Sequence, residues 1–417
     1  MDIKDLEVMG QKAQTAARQL GQASSQSKEA ALLAMADQLR QKQAAILKAN
    51  AQDIARTRDQ GRPDSFIERM TLTEDRVEAM ALGLEDVARQ PDPIHEVITG
   101  WTTPQGLDIV QKRVPLGVIG IIYESRPNVT ADAASLCFKT GNSVILRGGK
   151  ETLQSNLAIV SALQAGLADV DLPQDAIQYI DDPDRALATA FMQLDRYIDC
   201  LIPRGSANLI QSVVQNATIP TIETGVGNCH LYVHQSADLD EAVQLFINGK
   251  AQRVSVCNAL ETLILDQEIA KDFLDQARLL IEQNGIRLHG DQRTCSLVKD
   301  AIPAEEKDYA EEYLDYDIAV KIVDSYQEAI DHIQTYSSKH SEVIATKDYQ
   351  VAQDFMNDID AACVYVNASS RFSDGGVFGF GGEIGISTQK LHARGPMGLK
   401  ALTSYKYLIQ GQGQIRE

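Results

Sequence analysis

Short, fully apolar segments that alternate with helical patterns constrain the fold of this chain most. Gly117 to Tyr123 is a continuous run of β-type residues, and an amphipathic stretch from Thr130 to Lys139 follows it. The same alternation of strand and helix continues as far as Val366. A strand that is apolar on both faces must be covered by helices on both faces, as in a doubly wound parallel sheet. The sequence therefore predicts an α/β fold.

Two rounds of this alternation are separated by a natural boundary at Val226 to Asn228. Strands are predicted over 117–123, 143–146, 177–180, 199–202 and 220–222 in the first round, and over 260–265, 286–289, 342–346 and 362–366 in the second. The first ninety or so residues have helical periodicity, with one long helical stretch over 28–60 and a second over about 74–89. The Gly-rich stretch 370–398 has no periodicity, which indicates a long functional loop.

Charge and cysteine usage exclude several classes of function. The chain has 39 Lys and Arg against 58 Asp and Glu, so its net charge of −19 disfavours nucleic acid and anionic membrane surfaces as partners. No apolar run approaches the ~18 residues that span a bilayer. Its N-terminus lacks the pattern of a secretory signal or transit peptide, so a cytoplasmic location is expected. The six cysteines form no Cys-x-x-Cys pair, so neither a disulfide framework nor a metal site is indicated.

Cations are nevertheless concentrated in two segments. Residues 113–151 contain five cations against three acidic residues, and residues 371–400 contain four against two. Solvated surface charge would explain either imbalance alone. Both segments also contain Gly-rich turns, where backbone N–H groups can approach an anion. Together these features favour the binding of a phosphate or carboxylate.

A dinucleotide is the natural ligand of the first round, although the Gly-x-Gly-x-x-Gly fingerprint is absent. Polar and Gly-containing turns follow two of the predicted strands instead, and their candidate cofactor-binding residues are Arg147, Lys150, Arg204, Gly205 and Ser206. Arg147 and Lys150 could bind ribose hydroxyls or an adenosine phosphate. A simple turn is the alternative interpretation of Gly148-Gly149.

Cys257 has polar residues near it in the sequence and lies just before the predicted strand 260–265. A free cysteine is more often a small buried hydrophobe than a nucleophile. Four blocks of sequence supply the context: 123–130 (YESRPNVT), 253–263 (RVSVCNALETL), 329–342 (AIDHIQTYSSKHSE) and 387–398 (STQKLHARGPMG). These blocks resemble the gamma-glutamyl phosphate reductase family, the proline-biosynthesis branch of the aldehyde dehydrogenase superfamily. One departure is Val254, where that family is expected to have proline.

The resemblance implies an aldehyde-dehydrogenase-like fold with two doubly wound α/β domains and an oligomerisation β-hairpin. The domains would be a cofactor-binding domain over 1–227 and a catalytic domain over 228–366, with 367–417 returning to the first. The hairpin would cover about 97–113, with a partner strand over 404–409. The implied reaction is the NADPH-dependent reduction of L-glutamyl 5-phosphate to the semialdehyde and phosphate. A homo-oligomer and functional coupling to glutamate 5-kinase are further implications.

Roles for individual residues follow from the same resemblance. Cys257 would be the nucleophile, and the Asn128 amide would stabilise the oxyanion. Candidates for the substrate carboxylate and phosphate are Arg126, Arg253, Arg371 and Arg394, with His340 and His392 assisting. Glu383 would reach the nicotinamide ribose, with a plain loop carboxylate as the alternative.

Two other functions stay open from the residues alone. Glu223 lies where hydrolytic relatives carry their general base, which would support an NAD-dependent aldehyde dehydrogenase that oxidises free aldehydes. A catalytically silent scaffold of the same fold is the third hypothesis.

Overall fold

The apolar runs form parallel sheets in the computed structural model, which describes residues 1–416. The chain divides into two units. The first comprises residues 1–224, 379–385 and the described residues from 397 onward, and the second comprises residues 225–378 and 386–396. The predicted α/β fold with parallel sheets is confirmed.

The helices are α1 (Ile3–Leu20), α2 (Ser25–Gln41), α3 (Gln43–Asp59), α4 (Asp64–Met70), α5 (Glu74–Arg89), α6 (Asn128–Lys139), α7 (Leu153–Ala168), α8 (Arg185–Met192), α9 (Ala207–Asn216), α10 (Leu239–Ala251), α11 (Gln267–Asn284), α12 (Gln292–Leu297), α13 (Tyr326–Tyr336) and α14 (Tyr349–Asp358). The strands are β1 (Val97–Thr102), β2 (Asp108–Pro115), β3 (Val118–Tyr123), β4 (Ser143–Arg147), β5 (Ile177–Tyr179), β6 (Cys200–Arg204), β7 (Cys229–Val233), β8 (Leu260–Asp266), β9 (Arg287–Gly290), β10 (Ile302–Pro303), β11 (Asp317–Val323), β12 (Ser341–Ala345), β13 (Cys363–Val366), β14 (Ile386–Ser387), β15 (Gly395–Pro396) and β16 (Thr403–Gln410).

The first unit contains a parallel sheet of order β5-β4-β3-β6. Its central strand β3 is buried along its whole length. The strand order reverses at β3, because β4 lies on one side of it and β6 on the other. Ligands of doubly wound sheets bind at such switch points, outside the carboxyl ends of the strands.

A separate antiparallel sheet of order β1-β2-β16 also belongs to the first unit. β16 pairs with β2 from Thr403↔Pro115 to Gln410↔Asp108. The sheet exposes apolar side chains that include Val97, Trp101 and Ile409. Exposed apolar surface of this kind is typical of a protein interface.

The second unit is built on a parallel sheet of order β10-β9-β11-β8-β7-β12-β13. Alternate residues of its strands join two different cores. Leu231 and Leu263 pack with the residues of α10 and α11 on one face, whereas Tyr232 and Ile264 pack with those of α13 and α14 on the other. Helices therefore cover both faces, as the apolar strands predicted.

Four differences from the sequence-based elements are informative. The predicted strand 220–222 is wrong, because the region makes only an isolated bridge between Leu201 and Thr221. β7 and β11 were not predicted, since polar residues interrupt both of them. The long helical stretch 28–60 is two helices, α2 and α3, that meet at Lys42. Within the described residues, no helix combines the length and the apolar character needed to cross a membrane.

Candidate functional site

Cys257 lies in the loop 252–259, which connects the end of α10 to the start of β8. β8 is parallel to β7, and β7 is parallel to β12. The amino-terminal ends of parallel strands meet at one edge of a sheet, so this loop shares its edge with Cys229, the first residue of β7, and Ser341, the first residue of β12. Cys257 is half-buried at this edge.

Residues 227–230, which we call the floor segment, lie directly against the cysteine loop. Their polar groups are held by side chains and carbonyls from distant parts of the unit. The Gly227 N–H donates to Glu312 Oε1 at 2.7 Å, and the Asn228 amide donates to two backbone carbonyls. The His230 N–H donates to Glu342 Oε2 at 3.0 Å. The floor segment is therefore held by contacts that do not involve the cysteine loop.

Two contacts join the floor segment to Cys257. The Cys229 thiol donates to the Cys257 carbonyl oxygen at 3.3 Å. A Cβ on Gly227 would lie only 1.5 Å from that same oxygen, so no other residue fits at position 227 without moving the backbone. Neither residue was predicted for the site. Spacing along the chain gives no sign that they meet a loop almost thirty residues later.

Arg371 is brought to the cysteine loop by a 3-10 turn, Ser370–Phe372. The Ser370 hydroxyl donates to the Asn258 carbonyl at 2.7 Å, and the Arg371 Nε donates to Gln252 Oε1 at 3.1 Å. Both ends of the cysteine loop thus contact the turn that carries the arginine. Arg371 is half-buried, whereas Arg253 on the cysteine loop is exposed.

The electrostatics of Arg371 link it to both neighbours. Burial, and after it the charge of Arg253, lower the pKa of the Arg371 guanidinium. Cys257 acts on the same pKa in the opposite direction, as a thiolate beside a cation would. The structure therefore brings together three predicted site residues, Cys257, Arg253 and Arg371.

A buried ion pair connects the two elements that flank the cysteine loop, α10 and β8. Lys250, in the last turn of α10, lies 2.6 Å from Glu261 in β8, and both side chains are fully buried. The second carboxylate oxygen of Glu261 accepts from the Leu314 N–H at 3.2 Å. Lys250 was not predicted for the site, because the sequence alone does not distinguish a buried lysine at the end of a helix from a solvated one.

The structure gives His340 no surface through which to contact a substrate. The ring is fully buried, and burial lowers its pKa to about 4. Its Nδ1 lies 2.9 Å from the Ser341 hydroxyl and 3.7 Å from the Cys229 sulfur. His340 is therefore behind the cysteine loop, a departure from the predicted substrate contact, because a ring sealed from solvent reaches no anion.

Arg394 belongs to a separate cluster of charges. Its Nη2 donates to Asp360 Oδ1 at 2.9 Å, and Lys390 lies 2.5 Å from the other oxygen of that carboxylate. Lys390, and then Arg394, lower the pKa of Asp360 to about 2. His392 is exposed in the same segment.

The candidate cofactor residues of the first unit follow the carboxyl ends of its sheet. Arg147 ends β4, and Arg204 ends β6. Ser206 donates to Glu124 Oε1 at 2.5 Å, which joins the turn after β6 to the turn after β3. A Cβ on Gly205 would lie 2.7 Å from the carboxyl carbon of Glu124, so a side chain at position 205 would displace this carboxylate.

The amino terminus of α9 completes this edge. Ser206 is its N-cap residue, and no side chain caps the first turn. Uncapped N–H groups at a helix amino terminus favour an anion such as a pyrophosphate. These residues fit a dinucleotide at the switch point of the sheet.

The other candidate residues of the first unit differ in their hydrogen bonds and in their burial. Arg147 donates to the backbone carbonyls of Pro183 and Asp184, at 3.2 and 3.0 Å. Lys150 is exposed. The remaining three, which are half-buried, are Arg126, Glu223 and Glu383.

Asn128 is exposed at the first position of α6. One of its amide N–H groups donates to Asp132 Oδ2, one turn later, at 3.0 Å. Desolvation raises the pKa of Asp132 to about 6, against the opposing effect of the Asn128 hydrogen bond. The contact uses one N–H group of the Asn128 amide and restricts the orientation of that amide.

Comparisons with known proteins agree with this arrangement. Residues 1–292 match the model of the aldehyde dehydrogenase family. The chain is 52% identical over 414 residues to a gamma-glutamyl phosphate reductase of Clostridium beijerinckii. This alignment covers 99% of this chain and 100% of the relative. The crystal structure of gamma-glutamyl phosphate reductase from Thermotoga maritima superimposes with a TM-score of 0.96 at 45% identity, and covers 99% of this chain and 100% of that one.

A more distant structure shares the fold. An engineered glycolyl-CoA reductase with bound NADP+ has a TM-score of 0.69 at 17% identity, over 97% of this chain and 96% of that chain.

Proposed function

This chain belongs to the aldehyde dehydrogenase family, within its gamma-glutamyl phosphate reductase branch, and we propose that it reduces L-glutamyl 5-phosphate to L-glutamate 5-semialdehyde and phosphate in proline biosynthesis. The observation that carries the proposal is the half-buried thiol of Cys257 in a loop whose two ends contact the turn that carries Arg371. A nucleophile that must displace phosphate from an acyl group needs a cation beside the leaving group. A hydrolytic enzyme acting on uncharged aldehydes does not.

The covalent chemistry belongs to Cys257. Its thiolate attacks the carbonyl carbon of the acyl phosphate, the S–C bond forms, and the C–O bond to phosphate breaks. Arg371 and Arg253 would hold the departing phosphate, because a planar guanidinium binds its oxygens two at a time. The glutamyl group remains on Cys257 as a thioester, which is more easily reduced than a carboxylate. When the thiol is released again, the product leaves as the aldehyde.

Charge that develops on the carbonyl oxygen needs hydrogen-bond donors. We assign the Asn128 amide to this role, as the resemblance implies, together with a backbone N–H near Cys257. Removal of one such donor commonly lowers kcat by a factor that corresponds to ~3–4 kcal/mol. Arg126 and Arg394 remain candidates for the substrate carboxylate.

Aldehyde dehydrogenases use nicotinamide cofactors, and we propose NADPH for this chain. When bound, the reduced nicotinamide supplies the hydride. Arg204, Gly205 and Ser206 would hold the pyrophosphate region at the amino terminus of α9. Lys150, with its exposed ammonium group, and Arg147 would lie toward the adenosine phosphate, and Glu383 toward the nicotinamide ribose.

Glu223 is not needed as a base in this direction, because no water is a reactant. This removes the main support for a hydrolytic aldehyde dehydrogenase. A scaffold without activity would have no use for the ordered cysteine loop, which its buried ion pair and floor segment hold in place.

The proposal includes three features of the wider setting. The β1-β2-β16 sheet, with its exposed Trp101 and Ile409, would pair with a second copy of the chain. An acyl phosphate is labile in water, so functional coupling to glutamate 5-kinase, which makes it, would limit its loss. The reaction would take place in the cytoplasm.

A substrate panel tests the proposal. The enzyme is assayed in reverse with glutamate 5-semialdehyde, with and without inorganic phosphate, and with NADP+ and NAD+ in parallel. Phosphate-dependent oxidation, abolished in Cys257→Ala, is the expected result. Formation of the free carboxylate without phosphate, or full turnover in Cys257→Ala, would overturn it.

A further inference from the structure

A second, buried cysteine lies beneath the nucleophile. Cys229 is fully buried, and its sulfur lies 3.3 Å from the Cys257 carbonyl oxygen and 3.7 Å from His340 Nδ1. The thiol has one proton and two neighbours that could accept it. Which neighbour receives that proton decides whether Cys229 holds the cysteine loop.

Two distances favour the Cys257 carbonyl as the acceptor. Its oxygen lies 3.3 Å from the Cys229 sulfur, whereas His340 Nδ1 lies 3.7 Å away. His340 Nδ1 also lies 2.9 Å from the Ser341 hydroxyl, which is a closer hydrogen-bond partner for the ring than the thiol is.

A carbonyl oxygen has no proton of its own, so in its contact with Cys229 it accepts and the thiol donates. The S–H is thereby directed to the Cys257 carbonyl. Among the described residues His340 Nε2 has no hydrogen-bond partner, so the ring is oriented through its Nδ1 side.

The bond matters because it fixes a peptide plane. In a trans peptide the carbonyl of Cys257 and the N–H of Asn258 point in opposite directions. A carbonyl held against the floor segment keeps that N–H and the Cys257 side chain in one orientation. The Ser370 hydroxyl holds the next carbonyl, that of Asn258, at 2.7 Å.

We propose that Cys229 is a positioning residue for the nucleophile, and that its thiol holds the Cys257 peptide in the reactive orientation. The inference rests on the proposed role of Cys257. Cys229 itself touches no substrate. Its contribution is expected in the rate of acylation and not in the binding of substrate.

The test compares Cys229→Ala with Cys229→Ser, which keeps a donor of similar size. One hydrogen bond of this kind corresponds to about a three- to tenfold change in rate. Cys229→Ala should lower kcat by about that factor with KM unchanged, and Cys229→Ser should stay within about twofold of the wild type. Cys200→Ala, which removes a buried thiol of the first unit whose sulfur lies 4.0 Å from the neighbouring Leu201 carbonyl, is the matched control.

A second measurement needs no turnover. The rate at which iodoacetamide alkylates Cys257, followed on its peptide by mass spectrometry, should fall in Cys229→Ala and recover in Cys229→Ser. Equal rates in all three proteins, or an equal loss in both variants, would overturn the positioning role. Full activity of Cys257→Ala would instead overturn the proposed function, so the two failures are distinguishable.

Discussion

Gly227→Ala is the substitution whose effect on the nucleophile is most directly determined by the structure. The added Cβ would lie 1.5 Å from the Cys257 oxygen, 2.3 Å from its carbonyl carbon and 2.6 Å from its Cα. All three are backbone atoms, so rotation of a side chain cannot relieve the overlap. Since real Cβ contacts essentially never fall below 3.0 Å, the Cys257 peptide must move by about 1.5 Å.

A displacement of this size acts on both catalysis and stability. A reacting group that is misplaced by about 1 Å commonly loses a factor of ~100 in rate. We therefore expect kcat/KM to fall at least ~100-fold, which corresponds to about 2.7 kcal/mol. Overpacking of a well-packed site typically destabilises the fold by about 1–3 kcal/mol.

Gly249→Ala is the matched control. Gly249 lies in the interior of α10, and its added Cβ would meet Cδ1 and Cγ of the Leu260 side chain, at 2.5 and 2.7 Å. A leucine side chain can rotate away, and alanine is the better helix former. Steady-state kinetics and urea unfolding of both variants separate misplacement from unfolding. Activity of Gly227→Ala within about threefold of Gly249→Ala would refute the argument from close approach.

Three further predictions concern the first unit. Lys150→Ala should raise the KM for NADPH about tenfold and that for NADH hardly at all, because only the phosphorylated ribose needs the exposed ammonium; equal effects on both cofactors in steady-state kinetics would remove Lys150 from that role. Asp132 has a folded-state pKa of about 6, raised above the usual 3.8 by desolvation, so the stability that it contributes is complete below pH 3.8 and is lost as the pH rises through 6. Asp132→Asn should therefore unfold like the wild type near pH 4 and be more stable at pH 8 by up to about 3 kcal/mol, as measured by urea titration at the two pH values. Ile409→Glu places a charge on the exposed β1-β2-β16 sheet and should lower the sedimentation coefficient to that of a smaller species; an unchanged oligomer would exclude this sheet as the interface.

The parts of the fold that could be predicted are those in which a strand is apolar throughout. β3 and β4 were predicted because their apolar residues follow one another without the spacing of an amphipathic helix. β7 was missed because His230 interrupts it, and this residue is tolerated in the core only because Glu342 of β12 lies 2.9 Å from its Nδ1. The partner that makes a buried polar residue acceptable is more than a hundred residues away, where no local window of sequence detects it.

The candidate site shows the same limit. Cys257 and Arg253 could be named from the block 253–263, and Arg371 from the cation-rich segment 371–400; the structure places the turn that carries Arg371 against the cysteine loop. The residues that hold these three side chains in place could not be named from the sequence. Gly227 is required by the approach of another backbone, and Cys229 has the composition of an ordinary core residue. His340 was assigned to the substrate through the family resemblance, whereas its burial below the loop depends on how β12 and β13 pair.

The location of Cys257 explains why arginines surround it. Helices of a parallel α/β unit end at the amino-terminal edge of the sheet, and the carboxyl terminus of α10 lies immediately before the cysteine loop. The carbonyl groups at that terminus present partial negative charge, which opposes both a thiolate and an anionic substrate. An anion at this edge must therefore be stabilised by cationic side chains. Lys250 is already committed to Glu261, so Arg253 and Arg371 remain to supply the positive charge at the cysteine loop. At the carboxyl edge of the first sheet the helix end has the opposite charge, because α9 presents its backbone N–H groups there. A Gly-containing turn is therefore sufficient to bind an anion at that edge.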